Sequence, residues 1–144
     1  MNVVRTIEVR VDSARAFAIF TEEIGAWYRA GRWSWNDPTR AVGIRLEPGV
    51  GGRWIEVWDA ATGEGYELGR VLVWEPGERL VVTYRNVYMA PGDTEIDVRF
   101  EALLSGTRVT LHHRGVRRMS EVQRANAWVN FMAWFGDYAD DRLP

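Results

Sequence analysis

Six short strand-like segments follow one another between residues 42 and 114 of this 144-residue chain. Each combines β-branched or aromatic residues with polar positions, and together they cover residues 42–48, 50–59, 66–76, 79–86, 94–100 and 107–114. Turn-forming pairs such as Pro48-Gly49, Pro76-Gly77 and Ser105-Gly106 separate several of them. Because connections this short join antiparallel neighbours, the pattern predicts an antiparallel meander.

A further alternating segment at residues 2–11 predicts a first strand, and two short helical segments lie between it and the meander. The meander is followed by residues 120–138, whose apolar side chains recur at helical spacing. The predicted fold is therefore α+β, a curved seven-stranded antiparallel sheet wrapped around a long C-terminal helix, with two short helices after the first strand. No repeat or linker interrupts the chain, which predicts a single domain over residues 1–144.

The C-terminal helix can be predicted in more detail. Ser120 and Gln123 have the spacing of a capping box, which predicts that the helix begins there. We expect one continuous helix as far as Tyr138, with fraying beyond it because aspartates crowd the negative end of the helix dipole. The predicted core-facing stripe consists of Ala125, Trp128, Val129, Met132, Phe135 and Ala139.

Composition argues against several kinds of function. The chain has no cysteine and two adjacent histidines, so it offers neither thiolate chemistry nor the commoner zinc sites. Its net charge is −2 and its arginines alternate with acidic residues, which argues against a nucleic-acid surface. No segment resembles a signal peptide or a membrane span, so we expect a cytoplasmic protein without membrane insertion. We also expect no cofactor and no metal.

Glu56 is the first candidate for chemistry, because strand alternation places it on the same side as Trp54 and Trp58. If this face is inward, burial would favour the neutral acid and suit Glu56 to proton transfer or to binding a donor on a ligand. The competing arrangement turns Ile55 and Val57 inward and leaves Glu56 in solvent. The sequence leaves both arrangements open.

His113 is the second candidate, and Tyr84 is a third group that could move protons. Leu111 and His113 alternate onto one apolar side of their strand, whereas His112 faces outward. An imidazole at the wall of a cavity could shuttle a proton or anchor a ligand, and it could equally have a structural role.

Arg70 and the tryptophans complete the predicted ligand site. Alternation places Arg70 on an apolar face, where it would pair with Glu56 or extend to water along the Trp74 ring. Eight tryptophans are many for this length and can line an apolar pocket. We expect the segment from Trp27 to Trp35 to form a lid that moves or orders when the pocket fills. The predicted ligand-binding residues are Trp27, Trp33, Trp35, Trp54, Glu56, Trp58, Arg70, His113, Trp128, Met132 and Phe135.

Short motifs along the meander carry a resemblance to a known family. They are Gly51-Gly52-Arg53-Trp54, Gly69-Arg70-Val71 leading into Trp74-Glu75-Pro76, Arg79-Leu80, Thr94-Glu95, and Gly106-Thr107-Arg108-Val109 leading to His113-Arg114-Gly115. Their order and spacing resemble the START-related helix-grip superfamily (SRPBCC, Bet v I-like), and within it the branch named after the activator of the heat-shock-protein-90 ATPase. The resemblance implies a seven-stranded antiparallel sheet wrapped around the last helix.

Three functional hypotheses follow. The first is a binding protein that encloses an apolar, aromatic or lipid-like small molecule between the long helix and the sheet. The second is an enzyme like the cyclases or aromatases of the superfamily, in which Glu56, His113 or Tyr84 moves protons. The third is regulation of a chaperone ATPase by protein contact, which the family name implies. The sequence is also compatible with a homodimer, and it leaves the ligand and any reaction open.

Overall fold

The computed structural model describes residues 2–29, 35–86, 93–116 and 119–142. In chain order its elements are β1 (Val3–Val9), α1 (Ser13–Thr21), α2 (Ile24–Trp27), β2 (Gly43–Leu46), β3 (Arg53–Asp59), β4 (Glu64–Glu75), β5 (Arg79–Tyr84), β6 (Thr94–Leu103), β7 (Gly106–Arg114), α3 (Glu121–Asn126) and α4 (Val129–Asp140). The seven strands form one antiparallel sheet in the order β1-β7-β6-β5-β4-β3-β2. The predicted meander and fold class are therefore confirmed.

The helices cover one face of the curved sheet, which we call the concave face, and the opposite face is the convex face. Phe20 of α1 contacts Phe135 and Phe131 of α4, with ring centroids 5.1 and 5.7 Å apart. Phe20 also meets Phe100 of β6 at 5.8 Å, so this ring joins both helices to the sheet. Burial of such large rings holds the layers together through the hydrophobic effect. In the described ranges, no helix is both long and apolar enough to cross a membrane.

The C-terminal helix begins as predicted but is interrupted. The capping box forms, because the Gln123 N–H donates to Ser120 Oγ (3.1 Å) and the Gln123 side chain accepts from the Ser120 N–H (2.9 Å). α3 ends at Asn126, and Trp128 takes a left-handed conformation with φ 66° before α4 begins. The prediction of one continuous helix is therefore wrong at residues 127 and 128.

Burial along the two helices reflects this break. Trp128, Met132 and Phe135 are buried, as predicted. Ala125 and Val129 are exposed, contrary to prediction. The left-handed residue turns α3 out of line with α4, so positions before and after the break no longer share one face.

The last turn of α4 is fixed to the rest of the molecule. The predicted fraying after Tyr138 is wrong, because the helix continues to Asp140 and Ala139 is fully buried. The Asp140 carboxylate accepts a hydrogen bond from the main-chain N–H of Arg10 at 2.9 Å. This contact holds the helix end against the connection between β1 and α1, which offsets the unfavourable interaction of the carboxylate with the dipole.

Two irregularities in β4 reverse the alternation that the sequence predicts. Leu68 is the extra residue opposite β3, and Leu72 is the extra residue opposite β5. Each extra residue shifts the following side chains to the other face. Leu68 is consequently buried, whereas Arg70 points to solvent and pairs with Glu67 at 2.7 Å. The predicted place of Arg70 on an apolar face, within reach of Glu56, is therefore wrong.

Candidate functional site

A cavity of about 190 Å³ lies beside the junction of α3 and α4, and we call it the junction cavity. It is bounded by the end of α2, strands β3 to β5 and the start of α4. Its apolar walls are Tyr28, Trp54, Leu68, Tyr84, Trp128, Phe131 and Trp134, and its polar positions are Asn86, Asn126 and Asn130. Because Asn126 and Asn130 are exposed, the cavity opens to solvent on their side.

The interior between α4 and the sheet is filled by aromatic side chains. Trp27 lies 4.9 Å from Phe131 and 5.5 Å from Phe135 between ring centroids. The apolar gap that remains, beside Phe20 and Trp54, measures about 10 Å³, which is near the lower limit for a single water molecule. On the concave face, the larger space bounded by described residues is therefore at the helix junction and not deep in the core.

A chain of hydrogen bonds supports the wall of the junction cavity. The Trp128 indole N–H donates to His113 Nδ1 at 3.1 Å, and His113 Nε2 lies 2.6 Å from Thr94 Oγ1. Because an indole nitrogen can only donate, Nδ1 must accept and Nε2 carries the proton. Thr94 Oγ1 accepts this proton's hydrogen bond and donates onward to the main-chain oxygen of Tyr84 at 2.7 Å. The chain therefore fixes one neutral tautomer of His113.

His113 is positioned to hold Trp128, not to exchange protons with a ligand. It is fully buried, and burial lowers the pKa of its imidazole to about 4, with a further contribution from repulsion by His112. Both ring nitrogens already have partners. Protonation of Nδ1 would also place its N–H directly against the N–H of the Trp128 indole, and these two donors repel each other. The His113 ring therefore stays neutral near neutral pH.

Trp128 has a backbone conformation that bulky residues rarely adopt, with φ 66°. Such a conformation costs on the order of 1–3 kcal/mol and persists where surrounding contacts fix it. Here the indole is bonded to His113 and packs against the rings of Tyr84 (5.0 Å) and Phe131 (5.1 Å). On β1, Arg5 donates to the main-chain oxygens of Arg124 and Ala125 in α3 and of Ala127 just after it. These contacts together hold the helix junction beside the cavity.

Glu56 lies on the concave face next to Trp54, but it does not line the junction cavity. It is 1% exposed and accepts from the main-chain N–H groups of Asn36 (2.6 Å) and Asp37 (3.0 Å), from Asn36 Nδ2 (3.2 Å) and from Trp58 Nε1 (2.9 Å). A carboxylate can only accept hydrogen bonds, so these four N–H donors replace the water that Glu56 loses on burial. Glu56 therefore fastens the segment before β2 to the sheet. Within the described ranges, no three His, Asp or Glu residues cluster closely enough to hold a metal ion.

Of the three acid/base candidates, Tyr84 is the residue that lines the junction cavity. Its hydroxyl accepts a hydrogen bond from the side-chain amide of Asn86 at 2.8 Å. Burial raises the pKa of Tyr84 well above its ordinary value, although the hydrogen bond from Asn86 lowers it in part. Tyr84 is therefore a neutral phenol at physiological pH, and it gives the cavity wall a polar point without a charge.

The other predicted ligand residues divide between the cavity and the core. Trp54 and Trp128 line the junction cavity. Trp27, Met132 and Phe135 belong to the hydrophobic core, where the Trp27 N–H donates to a main-chain oxygen of α1 at 2.8 Å. The structure therefore brings together two of these five residues around the space that could take a ligand.

Two further predicted residues, Trp35 and Trp58, lie outside the cavity lining. Trp35 is buried against Tyr28, with ring centroids 5.0 Å apart, and Trp58 lies under the Arg40 guanidinium at 4.8 Å. Trp33 lies outside the described residues, as does the stretch 30–34 of the predicted lid. The lid therefore stays a prediction.

The sequence does not predict two groups of cavity residues. The first is the three asparagines, and the second is the pair Phe131 and Trp134 on α4. Asn126 and Asn130 are four residues apart, and on an unbroken helix they fall opposite the apolar stripe. Phe131 and Trp134 follow Trp128 at intervals of three, a helical spacing that could have identified them. Asn86 follows β5 and carries no local signal that connects it to the C-terminal helices.

Solved structures of bacterial proteins share the fold over almost their full lengths. A protein from Mesorhizobium loti has 16% identity and a TM-score of 0.71, with 100% of both chains covered. The AHSA1-like protein from Aeromonas hydrophila has 18% identity and a TM-score of 0.68, covering 98% of this chain and 93% of that one. The Aha1 dimer from Colwellia psychrerythraea has 17% identity and a TM-score of 0.66, with coverages of 97% and 96%. At these identities the likeness concerns the fold alone.

Sequence comparison gives the family. No curated protein matches the sequence. The family model described as Activator of Hsp90 ATPase homolog 1-like protein matches residues 10–139, which is nearly the whole chain. The match begins just after β1 and reaches the last turn of α4, so it includes strands β2 to β7, the helix junction and the cavity. The chain belongs to the Activator of Hsp90 ATPase homolog 1-like protein family.

Proposed function

We propose that the protein binds a small, neutral, aromatic molecule in the junction cavity. The observation that carries this proposal is the lining, in which six aromatic side chains and one leucine surround about 190 Å³ of open space. Planar rings pack favourably against aromatic walls, by edge-to-face or offset contacts. An engineered apolar cavity of roughly 150 Å³ accommodates benzene, whereas pockets for drug-sized ligands measure roughly 300–1,000 Å³. The volume therefore favours a molecule of one or two rings over a long-chain lipid.

The polar positions support a neutral ligand. In the described part of the chain, the lining includes no Asp, Glu, Lys, Arg or His. A charged molecule would lose hydration there without gaining a counter-charge. The Asn side chains and the Tyr84 hydroxyl instead offer uncharged hydrogen-bonding groups at the edge of the aromatic walls.

An enzymatic function has less support. The oxygens of Glu56 and both nitrogens of His113 already have protein partners, and neither residue lines the cavity. Tyr84 does line it, but a phenol with a raised pKa is a poor acid or base near neutral pH. The hydrogen bonds of Glu56 and His113 therefore support a structural role, and the position of Tyr84 supports a role in binding.

Function through protein contact also has less support. Exposed large apolar side chains in the described ranges are dispersed over separate elements, including Val4 on β1, Leu72 on β4 and Val122 on α3. Docking surfaces more often present one contiguous apolar patch. The Colwellia psychrerythraea structure is described as a dimer, and a homodimer of this chain stays a prediction that analytical ultracentrifugation can test.

Two measurements test the proposed binding. Native mass spectrometry of protein freshly purified from its host should detect a retained small molecule. Titration with indane, a neutral fused-ring hydrocarbon, should produce saturable shifts in the ¹H–¹⁵N signals of Trp54 and Trp128. Shifts of these two indole signals would place the probe in the junction cavity.

A pair of leucine variants on β4 supplies the control. Leu68→Trp introduces an indole into the cavity lining and should abolish indane binding by occupying the space. Leu72→Trp adds the same side chain at an exposed position of the same strand and should leave binding unchanged. The proposal fails if the wild-type protein shows no saturable binding, or if both variants bind indane equally well.

A further inference from the structure

A second space of about 150 Å³ lies between the end of α2 and the last turns of α4, and we call it the α2–α4 groove. Its lining includes the rings of Trp27 and Tyr138 and the charged side chains of Arg29, Asp137 and Asp141. These three charged residues are exposed, whereas the described lining of the junction cavity carries no charge. The groove and the junction cavity therefore suit different chemical groups.

Among the described residues, Trp134 is the one that lines both the junction cavity and the groove. The residues of α4 and its C-cap that face the two spaces recur every three or four positions, which places them on one side of the helix. They are Asn130, Phe131, Trp134, Asp137, Tyr138 and Asp141, of which the first three line the junction cavity and the last four line the groove. The two spaces therefore follow one another along α4, and Trp134 lies at their boundary.

The Trp134 ring also bridges the two helices at this boundary. It meets the ring of Tyr28, which directly follows α2, edge to face with 5.8 Å between centroids. Trp134 is partly exposed, whereas Trp128 is 8% exposed and is bonded to His113. The Trp134 side chain is therefore less constrained than that of Trp128, and a smaller residue in its place should be compatible with the fold.

We propose that Trp134 determines the size of the ligand that the junction cavity accepts. This inference rests on the proposed function and assigns the size limit to one residue. Together with the Tyr28 ring, the Trp134 indole closes the cavity toward the groove, so a planar molecule of one or two rings fits and a third fused ring meets the indole. Extra carbon atoms in a packed site displace side chains from their preferred rotamers, so the larger molecule binds more weakly. The same indole separates a neutral ligand from the charges of the groove.

The test compares indane with fluorene, a neutral planar hydrocarbon in which a second benzene ring is fused to the five-membered ring. Both probes are titrated into the wild-type protein, Trp134→Leu and Trp134→Ala. We expect the ratio of fluorene affinity to indane affinity to rise in that order, by about tenfold from wild type to Trp134→Ala. The ratio is the useful quantity because a shorter side chain removes packing contacts from both probes, and because their different solubilities in water cancel.

A second readout locates the probe. The Trp27 indole lines the groove and not the junction cavity. Its ¹H–¹⁵N signal should shift with fluorene in Trp134→Ala, and with neither probe in the wild-type protein. Asp137→Ala is the control variant, since it shortens an exposed side chain of the groove and leaves Trp134 in place. It should leave the affinity ratio unchanged.

The outcomes separate this inference from the proposed function. If indane binds and the affinity ratio is the same in wild type, Trp134→Leu and Trp134→Ala, Trp134 does not set the size limit and the aromatic cavity stands. A rise of the same size in Asp137→Ala would also overturn the inference. If indane does not bind the wild-type protein, the proposed function fails and this inference fails with it.

Discussion

Glu56 and Asp97 are two buried carboxylates of the same sheet, and opposite kinds of partner stabilise them. Glu56, on the concave face, is 1% exposed and receives four N–H groups from Asn36, Asp37 and Trp58. Among the described residues, no cationic side chain forms an ion pair with it. Its partners are neutral dipoles, and three of the four donors come from a segment outside the sheet.

Asp97, on β6, is 2% exposed and lies among three guanidinium groups. Its carboxylate accepts from Arg79 (2.9 Å), Arg114 (3.1 Å) and Arg99 (3.4 Å). Burial alone would raise the pKa of Asp97, but the hydrogen bonds and positive charges of these arginines outweigh burial and lower it. This carboxylate is the centre of an ion-pair network.

The comparison shows that burial does not by itself identify a catalytic carboxylate. Strand alternation can indicate that Glu56 shares a face with tryptophans, and it cannot indicate how many donors will meet the carboxylate. In both residues the oxygens are occupied by partners that hold elements together. A candidate general acid or base also needs a free oxygen facing a ligand, which neither site provides.

A third buried carboxylate without any partner should have the largest effect. Met132→Asp places one on the core face of α4, where Met132 is 1% exposed. We expect destabilisation by about 4 kcal/mol or more, because the carboxylate would have neither the donors of Glu56 nor the arginines of Asp97. Urea denaturation measures the change. Ala133→Asp, at the next and exposed position, is the control and should be nearly neutral.

Glu56→Gln should have the next largest effect. The amide keeps the shape of the side chain, but its NH₂ group would face N–H donors, so at least one donor loses its acceptor. We expect a loss of about 2–3 kcal/mol in stability and faster hydrogen exchange at the Asn36 and Asp37 amides. Glu64→Gln, at an exposed position, should change neither quantity. We expect Glu56→Gln to bind indane about as tightly as the wild-type protein does. Unchanged hydrogen exchange at the Asn36 and Asp37 amides in this variant would show that Glu56 does not hold the segment.

The imidazole of His113 extends the comparison to a buried base. Its folded-state pKa of about 4 lies below the ordinary value of 6.5, because of burial and repulsion by His112. The unfolded chain therefore binds the proton first as pH falls, so stability present above pH 6.5 decreases between pH 6.5 and 4, by about 2.5 kcal/mol. Denaturation curves across this range should show the decrease in the wild-type protein and in His112→Gln. A slope of the same size in His113→Gln would contradict the assignment.

Asp97→Asn should have the smallest effect of the four changes. Its three arginine partners are partly exposed, so their guanidinium groups can turn to water when the carboxylate is removed. We expect a loss of about 1 kcal/mol at neutral pH, reduced by high salt. Because the pKa of Asp97 is lowered in the folded state, the wild-type advantage should vanish as pH falls below the usual aspartate range. If Asp97→Asn lost as much stability as Glu56→Gln, solvent would screen the charges of the three arginines less than the exposure of their side chains suggests.

Much of the fold could be predicted from the sequence, because it depends on local patterns. The strand segments, the turns between them and the capping box at Ser120 and Gln123 each arise from neighbouring residues. The irregularities in β4 at Leu68 and Leu72 could not be predicted in this way. They arise from pairing with strands on both sides, and they decide that Arg70 points to solvent.

The candidate site could be predicted only in part. Strand and helix positions predict Trp54 and Trp128 as ligand-binding residues, and Tyr84 is predicted only as a group that could move protons; all three line the cavity. The pattern of a continuous helix predicts that Asn126 faces solvent, and it is exposed, but that pattern does not indicate that Asn126 lies at the opening of a cavity. The helix breaks at Trp128, whose indole bonds to His113, a residue fifteen positions earlier on another element, and no pattern local to the helix contains this contact.

The sequence by itself determined the order of strands and helices, the family and which side chains are aromatic. These properties depend on residue type and short-range periodicity, and both are present in the unfolded chain. The tertiary structure alone decided that side chains fill the interior beside Phe20 and Trp54, that a larger space lies at the helix junction, and that the Trp54 N–H meets no acceptor among the described residues. Volumes and unpaired donors depend on the simultaneous packing of side chains from distant segments, so no local pattern encodes them.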